Sequence, residues 1–520
     1  MKKYLFIALA AMGFAACEKS ADENKTQQNA ELEQSYVAIT LASDDMNTRA
    51  NDGVYEEGLA EEREVKSAYV FFFKDGAAFP VAFDGTTSTN AGPSNYLKVD
   101  LTTNGKDMPN VSDVKDAVLV LQNYKGQYPN QIVAVLNWDP TAKLSYTLSE
   151  LQTKVSALGN ATNGFVMSNA VYADKAGQVI DAVDLTIANI AKNADDALAN
   201  PVKIHVERVA AKVVFTADNG GKFAVEKEID GKQVYAQIKG FELYNDYQES
   251  WLIKRINPAW EVGFNWNDAD FFRSYWAQSL GKDFENNTFA WSTDNTEIGA
   301  WNYLGENTRA WTKEADVRTK VVVKAQLVDV DGNPFAVVNW YGKDYIGEDD
   351  LKVVVANTLK NTYFSDDGPS FTGLTPADIK CVDRLVTDAK AYEVYFQLSD
   401  DGAAKTWYKY EGGSYNTIAV NALDTALAAV QPALVYKNGM TYYWLDIKHL
   451  GAESSTAEYG IVRNHVYKVN INDITGYGTP VYNGTSDFIN LEKPEDIKTY
   501  VSAQINILSW RVVENDYDLQ

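Results

Sequence analysis

The chain has 520 residues, a formal net charge of −24, and an aromatic-rich, proline-poor composition with 31 Tyr, 21 Phe, 12 Trp and 13 Pro. That length exceeds one ordinary core and predicts two domains or more, while the charge excludes a nucleic-acid binder, which needs a basic stripe to displace phosphate counterions. One of the two cysteines, Cys17, lies in a leader and the other is Cys381, which excludes an internal disulfide in a matured chain.

Lys2 and Lys3 precede an apolar run from Tyr4 to Ala16 that closes on Ala15-Ala16-Cys17. The run is shorter than the roughly 18 to 20 apolar residues that span a bilayer, so it reads as a targeting signal over residues 1–17. Its end, GFAAC, resembles the lipobox of bacterial lipoproteins, which implies lipidation at Cys17; the plainer reading is a secretory signal in which Cys17 is incidental. Residues 18–34 form a polar spacer, and Glu18, Asp22 and Glu23 resemble acidic surface-export signals of Bacteroidetes lipoproteins.

Tyr36-Val37-Ala38-Ile39-Thr40-Leu41 alternates as a strand, with Val37, Ile39 and Leu41 toward one face. Directly behind it, SDDMNTRANDG holds Arg49, the only basic residue between Lys25 and Arg63. A single arginine in a polar, turn-prone linker is the exposed, unique point that a site-specific protease needs. A permanent edge strand followed by an ordinary surface arginine is the alternative.

From residue 63 onward strands follow one another with the turn spacing of β-sandwiches. DAVLVLQNY and QIVAVLNWD read as strands buried on both faces, and VKIHVERVAAKVVFTADNGGK as a strand pair or one bent strand, with a domain boundary near residue 217. Further on, VVVKAQLVDVDGNPF and ALVYKNGMTYYWLDI read as hairpins, the second through Asn438-Gly439, because both central positions favour positive φ. The expected helices are TPADIKCVDRLVTDAKAY and NALDTALAAVQ, capped by Thr375 and Asn421. No short-period repeat is present.

No catalytic constellation emerges, and the chain reads as a non-enzyme with no cofactor and no metal site. His205, His449 and His465 lie in or beside apolar strands without a metal-ligand partner motif and read as structural. Neither a Gly-x-Ser-x-Gly elbow nor a phosphate loop is present, and DVDGN at 329–333 serves a turn better than a calcium loop. Eight of the twelve tryptophans fall between Trp251 and Trp340. They read first as core and insertion filler, and second as aromatic platforms for glycans.

Three stretches, HVERVAAKVVF (205–215), FRSYWAQS (272–279) and YGIVRNHVYKVNINDITGYGTP (459–480), resemble the fimbrillins of Bacteroidia, assembled as type V pili, most closely those of the short Mfa-type fimbria. The lipobox, Arg49 and the closing INILSWRVVENDYDL fit the same pattern, so the resemblance covers nearly the whole chain. It implies a mainly β protein with two tandem transthyretin-like β-sandwich domains, at 50–217 and 218–520, with a few short helices in the second. It further implies a lipoprotein signal at 1–17 and a propeptide at 18–49 whose strand temporarily fills a groove.

The resemblance also implies export to the outer membrane of a Gram-negative bacterium and cleavage after Arg49 by an arginine-specific protease. The vacated groove would then be filled by a C-terminal strand of another copy in a head-to-tail filament. Accessory fimbrial subunits and host or bacterial surface receptors are the other implied partners, serving adhesion, coaggregation, biofilm formation and virulence. Candidate donor residues are Ile505, Ile507, Trp510, Val512, Val513, Tyr517 and Leu519, an apolar series reaching almost to the end of the chain. The competing expectation is a monomeric, surface-anchored glycan-binding lipoprotein.

Overall fold

In the computed structural model, residues 32–43, 58–83, 92–99, 102–103, 114–173, 179–255, 278–284, 289–291, 296–309, 317–366, 370–383, 385, 390, 392–449, 458–484, 501–508 and 514–515 are described. The fold is mainly β, in several sheets with few helices, as the strand-rich sequence predicts. Among the described residues no helix is long and apolar enough to cross a membrane.

The first sheet is built around two strands that are apolar at every interior position. In Ala68–Lys74, Ala68, Val70 and Phe72 enter one core cluster while Tyr69, Phe71 and Phe73 enter another on the opposite face. Its partner Gln131–Leu136 divides the same way, with Ile132, Ala134 and Leu136 on one side and Val133 and Val135 on the other. QIVAVLNWD is thus covered on both faces, as expected. DAVLVLQNY is not: within Val114–Tyr124, Leu119 and Leu121 are buried but Val120 is 44% exposed.

The sheet order runs Ala77–Ala78, Ala68–Lys74, Gln131–Leu136, Met167–Asn169, Val202–Arg208, Leu32–Ser43, Val114–Tyr124, Thr102–Thr103. The chain leaves this sheet through Val209 and Ala210, both fully buried, and continues as Ala211–Ala217 in a different sheet. VKIHVERVAAKVVF is therefore one bent segment shared by two sheets. The Asn219-Gly220 turn after it, with φ of 51° and 63°, reverses the chain into Lys222–Ile229.

Two five-stranded sheets then face each other across one core. One runs Trp301–Leu304, Ala211–Ala217, Val466–Ile474, Val501–Leu508, Glu514–Asn515; the other runs Lys222–Ile229, Lys232–Tyr244, Lys320–Val328, Met440–Asp446, Thr479–Pro480. Phe215 and Phe241 stack across the interface, with ring centroids 4.6 Å apart.

Between Lys320–Val328 and Met440–Asp446 lies an inserted unit with its own core, which includes Val338, Leu351, Phe396, Trp407, Leu423 and Leu427. It changes how several stretches behave. Lys320–Val328 does not pair with the strand that follows it, Val337–Trp340, and Ala433–Tyr436 does not pair with Met440–Asp446. The first expected hairpin closes only at its turn, through an antiparallel bridge between Val328 and Pro334 and a hydrogen bond from Asp329 N–H to Asn333 O at 3.0 Å, and the second is a crossing out of the insert. Asn438 and Gly439 do take positive φ, 53° and 73°, but in a tight turn between sheets.

The helix expected at TPADIKCVDRLVTDAKAY is reduced to the 3-10 turn Pro376–Asp378, capped by Thr375. Ile379–Asp383 pairs instead with Glu393–Leu398, so β-pairing overrides the apolar period. NALDTALAAVQ is helical over Val420–Ala428, but Ala419 is its N-cap and Asn421 lies inside. The longest helix among the described residues, Gly347–Leu359, falls in a stretch to which the sequence analysis assigns no element. Acidic Glu348, Asp349 and Asp350 favour its N-terminus, and Leu351, Val355 and Ala356 bury its inner face.

Candidate assembly groove

The leading strand, Leu32–Ser43, lies inside the first sheet and not at its edge. It runs antiparallel to Val114–Tyr124 over eleven register pairs from Leu32↔Tyr124 to Ala42↔Val114, and parallel to Val202–Arg208 from Ile39↔Val202 to Ser43↔Val206. Ahead of that parallel stretch, Tyr36 exchanges backbone hydrogen bonds of 2.9 Å with Ala191.

The alternation read from the sequence is the alternation observed. Val37, Ile39 and Leu41 are 0%, 1% and 3% exposed and enter the same core cluster as Val70, Leu121, Ile132 and Ile204. A polar clamp holds the start of the strand: Ser35 Oγ donates to Asn123 Oδ1 at 2.8 Å, and Gly126 N–H donates to Glu33 Oε1 at 2.9 Å. That Gly126 hydrogen bond is the main reason the Glu33 carboxyl sits below its ordinary range.

Val114–Tyr124 and Val202–Arg208 do not pair with each other, so withdrawing the leading strand would leave a gap one strand wide, lined by unpaired backbone groups. The far wall keeps another attachment, since Gln122 N–H donates to Val81 O at 2.8 Å. Cys17, Arg49 and Ala50 lie outside the described residues.

Where the described chain resumes, the short helix Ala60–Arg63 is tied to the strands Ala211–Ala217 and Trp301–Leu304 by a buried carboxylate. Glu62, 0% exposed, accepts from Lys212 Nζ at 2.6 Å and from the Tyr303 hydroxyl, while Leu59 N–H donates to its second oxygen at 2.9 Å. Arg208 Nε donates to Glu62 O at 2.6 Å, and its Nη1 to Asn464 Oδ1 at 3.2 Å. Burial would raise the Glu62 carboxyl, but the hydrogen bonds from Lys212, Tyr303 and Leu59 outweigh it and hold the group below the usual range.

A second buried pair stands nearby. Arg463 Nη2 meets Glu306 Oε2 at 2.6 Å and Trp251 O at 2.8 Å, with both charged side chains at most 1% exposed. None of these carboxylates was singled out from the sequence. The available signal was charge inside apolar strands, in VERVAAK and in VRNH, which marks positions that must find a partner when buried.

Two of the three histidines come together and the third stands elsewhere. His205 is in Val202–Arg208, while His449 and His465 pack edge to face at 5.1 Å, with Tyr467 Oη 2.9 Å from His449 Nδ1. Of the clustered tryptophans, Trp340 is buried in the insert, Trp291 donates to Thr441 O at 3.0 Å, Trp301 lies under Lys212 Nζ at 4.3 Å, and Trp251 faces Arg255 at 4.6 Å. These four sit in separate places and share no platform. The Cys381 thiol is pushed up to about 12, chiefly by burial.

At the other end of the chain, Val501–Leu508 pairs antiparallel with Val466–Ile474, placing Ile505 opposite Val469 and Ile507 opposite Tyr467. Among the described residues its outer edge meets Glu514–Asn515. Ile505 and Ile507 therefore belong to a strand resident in its own sheet. Trp510, Val512, Val513, Tyr517 and Leu519 lie outside the described residues.

Residues 434–516 match the family model for the C-terminal part of fimbrillin, the major fimbrial subunit protein type IV. The fimbrillin match takes in Met440–Asp446, Val466–Ile474 and Val501–Leu508, strands of both facing sheets. No curated protein matches the chain. Among solved structures, a candidate cell adhesion protein from Parabacteroides distasonis is similar at 14% identity and a TM-score of 0.34, over 90% of this chain and 95% of its own. Another from Bacteroides eggerthii is similar at 12% identity and a TM-score of 0.34, over 91% and 95%.

Proposed function

We propose that this chain is a fimbrillin, a structural and non-catalytic subunit of a cell-surface fimbria. In this reading it is exported as a lipoprotein anchored at Cys17 and cut between Arg49 and Ala50 by an arginine-specific protease. It then polymerises head to tail, the C-terminal segment of one copy replacing the leading strand of the next. The observation that carries the reading is the interior position of Leu32–Ser43, which spans a gap between two strands otherwise unpaired on those edges and lies just upstream of the lone Arg49. The fimbrillin match over 434–516 supports it independently.

Strand addition satisfies both the exposed ladder and the apolar pockets. Acceptor and donor are different surfaces of the chain in this reading, so the contact is heterologous and propagates without closing. Transthyretin-like topology, accessory subunits, surface receptors and a role in coaggregation, biofilm and virulence belong to the same proposal.

The test is N-terminal sequencing and intact mass of protein sheared from the cell surface, alongside an unheated denaturing gel of wild type and Arg49→Ala. A start at Ala50 with a ladder of multimers, both lost in Arg49→Ala, is the expected result. A lipidated start at Cys17 on a lone monomer would overturn the reading.

A further inference from the structure

The insert carries a four-stranded sheet in the order Phe371–Gly373, Tyr363–Asp366, Trp407–Glu411, Ser414–Ile418, whose two faces differ in chemistry. One face is anchored. Trp407 is fully buried in the insert core and donates its Nε1–H to Gly402 O at 2.8 Å, and Ile418, the only aliphatic residue in these strands, packs against the same core.

The other face is aromatic and open. Register places Phe364 opposite Tyr408, Tyr408 opposite Thr417, and Tyr410 opposite Tyr415, all on one side of the pleat. Phe371, from the edge strand, stacks on Tyr415 with centroids 4.0 Å apart and planes 12° from parallel, and meets Tyr408 edge-on at 4.9 Å. Phe364 meets Tyr415 edge-on at 5.0 Å. Phe371, Tyr410 and Tyr415 are 40%, 44% and 41% exposed.

We propose that this face is a binding platform for neutral carbohydrate. Sugar rings present flat C–H faces that stack on aromatic rings, and hydroxyl rims that seek polar neighbours. Here the rings are bordered on the same face by tyrosine hydroxyls, Thr417 and the exposed carboxylate of Asp366.

Charge narrows the class further. A chain at −24 repels anionic polysaccharides, and Asp366 beside the rings does so locally, which leaves neutral hexose polymers. The rings also ride on a sheet pinned by Trp407, so little conformational freedom is lost on binding. Cross-strand aromatic pairs stabilise a sheet without any ligand. Only a binding measurement separates that role from recognition. The proposal does not depend on polymerisation.

The test is affinity electrophoresis of the full chain through native gels containing galactomannan or mixed-linkage β-glucan, with alginate as the anionic comparison. Retardation by a neutral polysaccharide but not by alginate is expected. Phe371→Ala and Tyr415→Ala should each weaken it about tenfold. Thr417→Arg, which keeps every ring and sets a long charged side chain across the face, should do the same with an unchanged melting temperature. Absence of retardation on both neutral polymers, or retardation that survives Thr417→Arg, overturns the proposal. A change in self-association without any effect of sugar also overturns it and assigns the face to contacts between copies.

Discussion

Ile39 and Val202 are parallel register partners in the middle of the first sheet, although 163 positions separate them in sequence. Burying Val37, Ile39 and Leu41 is worth on the order of 5 to 9 kcal/mol at about 1.5 to 3 each, an upper estimate because unfolded chains bury some of that surface already. Cutting after Arg49 and removing the freed peptide should therefore lower the melting temperature of the first unit by more than about 10 °C. Calorimetry of cut and uncut monomer checks this, and coincident transitions would count against a structural role for the strand.

Ile39→Ala separates a temporary strand from a permanent one. In the uncut chain it should cost about 2 to 5 kcal/mol. Filaments grown from the cut chain should melt as wild type, since the residue has departed. Equal losses in both would mean that the strand stays.

Glu62→Gln should be among the most damaging single changes, about 3 to 5 kcal/mol, because it leaves Lys212 buried without its charge partner. The pH dependence follows from the lowered carboxyl. Its stabilisation is fully present above the unfolded value near 4.5 and is lost as pH falls through the lower folded value. Denaturant titrations at about pH 7 and about pH 3 should show wild type losing stability that the Gln variant has already lost. Parallel pH profiles for the two proteins would refute this.

Gly439 is held at φ 73°, and a Cβ there would lie 2.2 Å from Leu327 O. Gly439→Ala should cost about 2 to 5 kcal/mol, combining left-handed backbone strain with a clash against backbone. Asn438→Gly, at φ 53° in the same turn, should be close to neutral. Thermal melts of the two variants test the pair, and similar losses would contradict the contact.

Charge bears on assembly. Removing residues 1–49 deletes five basic and seven acidic residues and leaves −22. If apolar strand insertion drives polymerisation against like-charge repulsion, raising salt from low to physiological levels should speed filament growth. Light scattering across that range checks it, and slower growth would point to an ion-pair interface.

The contrast between what was legible and what was not lies in the range of the forces. Alternation along Val37, Ile39 and Leu41, the solitary Arg49, and the apolar runs that make the chain mainly β are local properties, because strand period and protease exposure depend on near neighbours. Ile379–Asp383 was misread, and Gly347–Leu359 was not read at all, for the complementary reason. Their local preferences are weak, and burial against the insert core in one case, and pairing with Glu393–Leu398 in the other, outweigh them.

The same division holds at the groove. By itself the sequence determined that one amphipathic strand precedes a solitary arginine in a polar linker. Only the tertiary structure decided that this strand is interior, that its neighbours are Val114–Tyr124 and Val202–Arg208, and that Glu62 meets Lys212. Those pairings join residues about 70 to 160 positions apart, and their selection is a collective result of packing and of satisfying buried polar groups, which no short window of residues encodes.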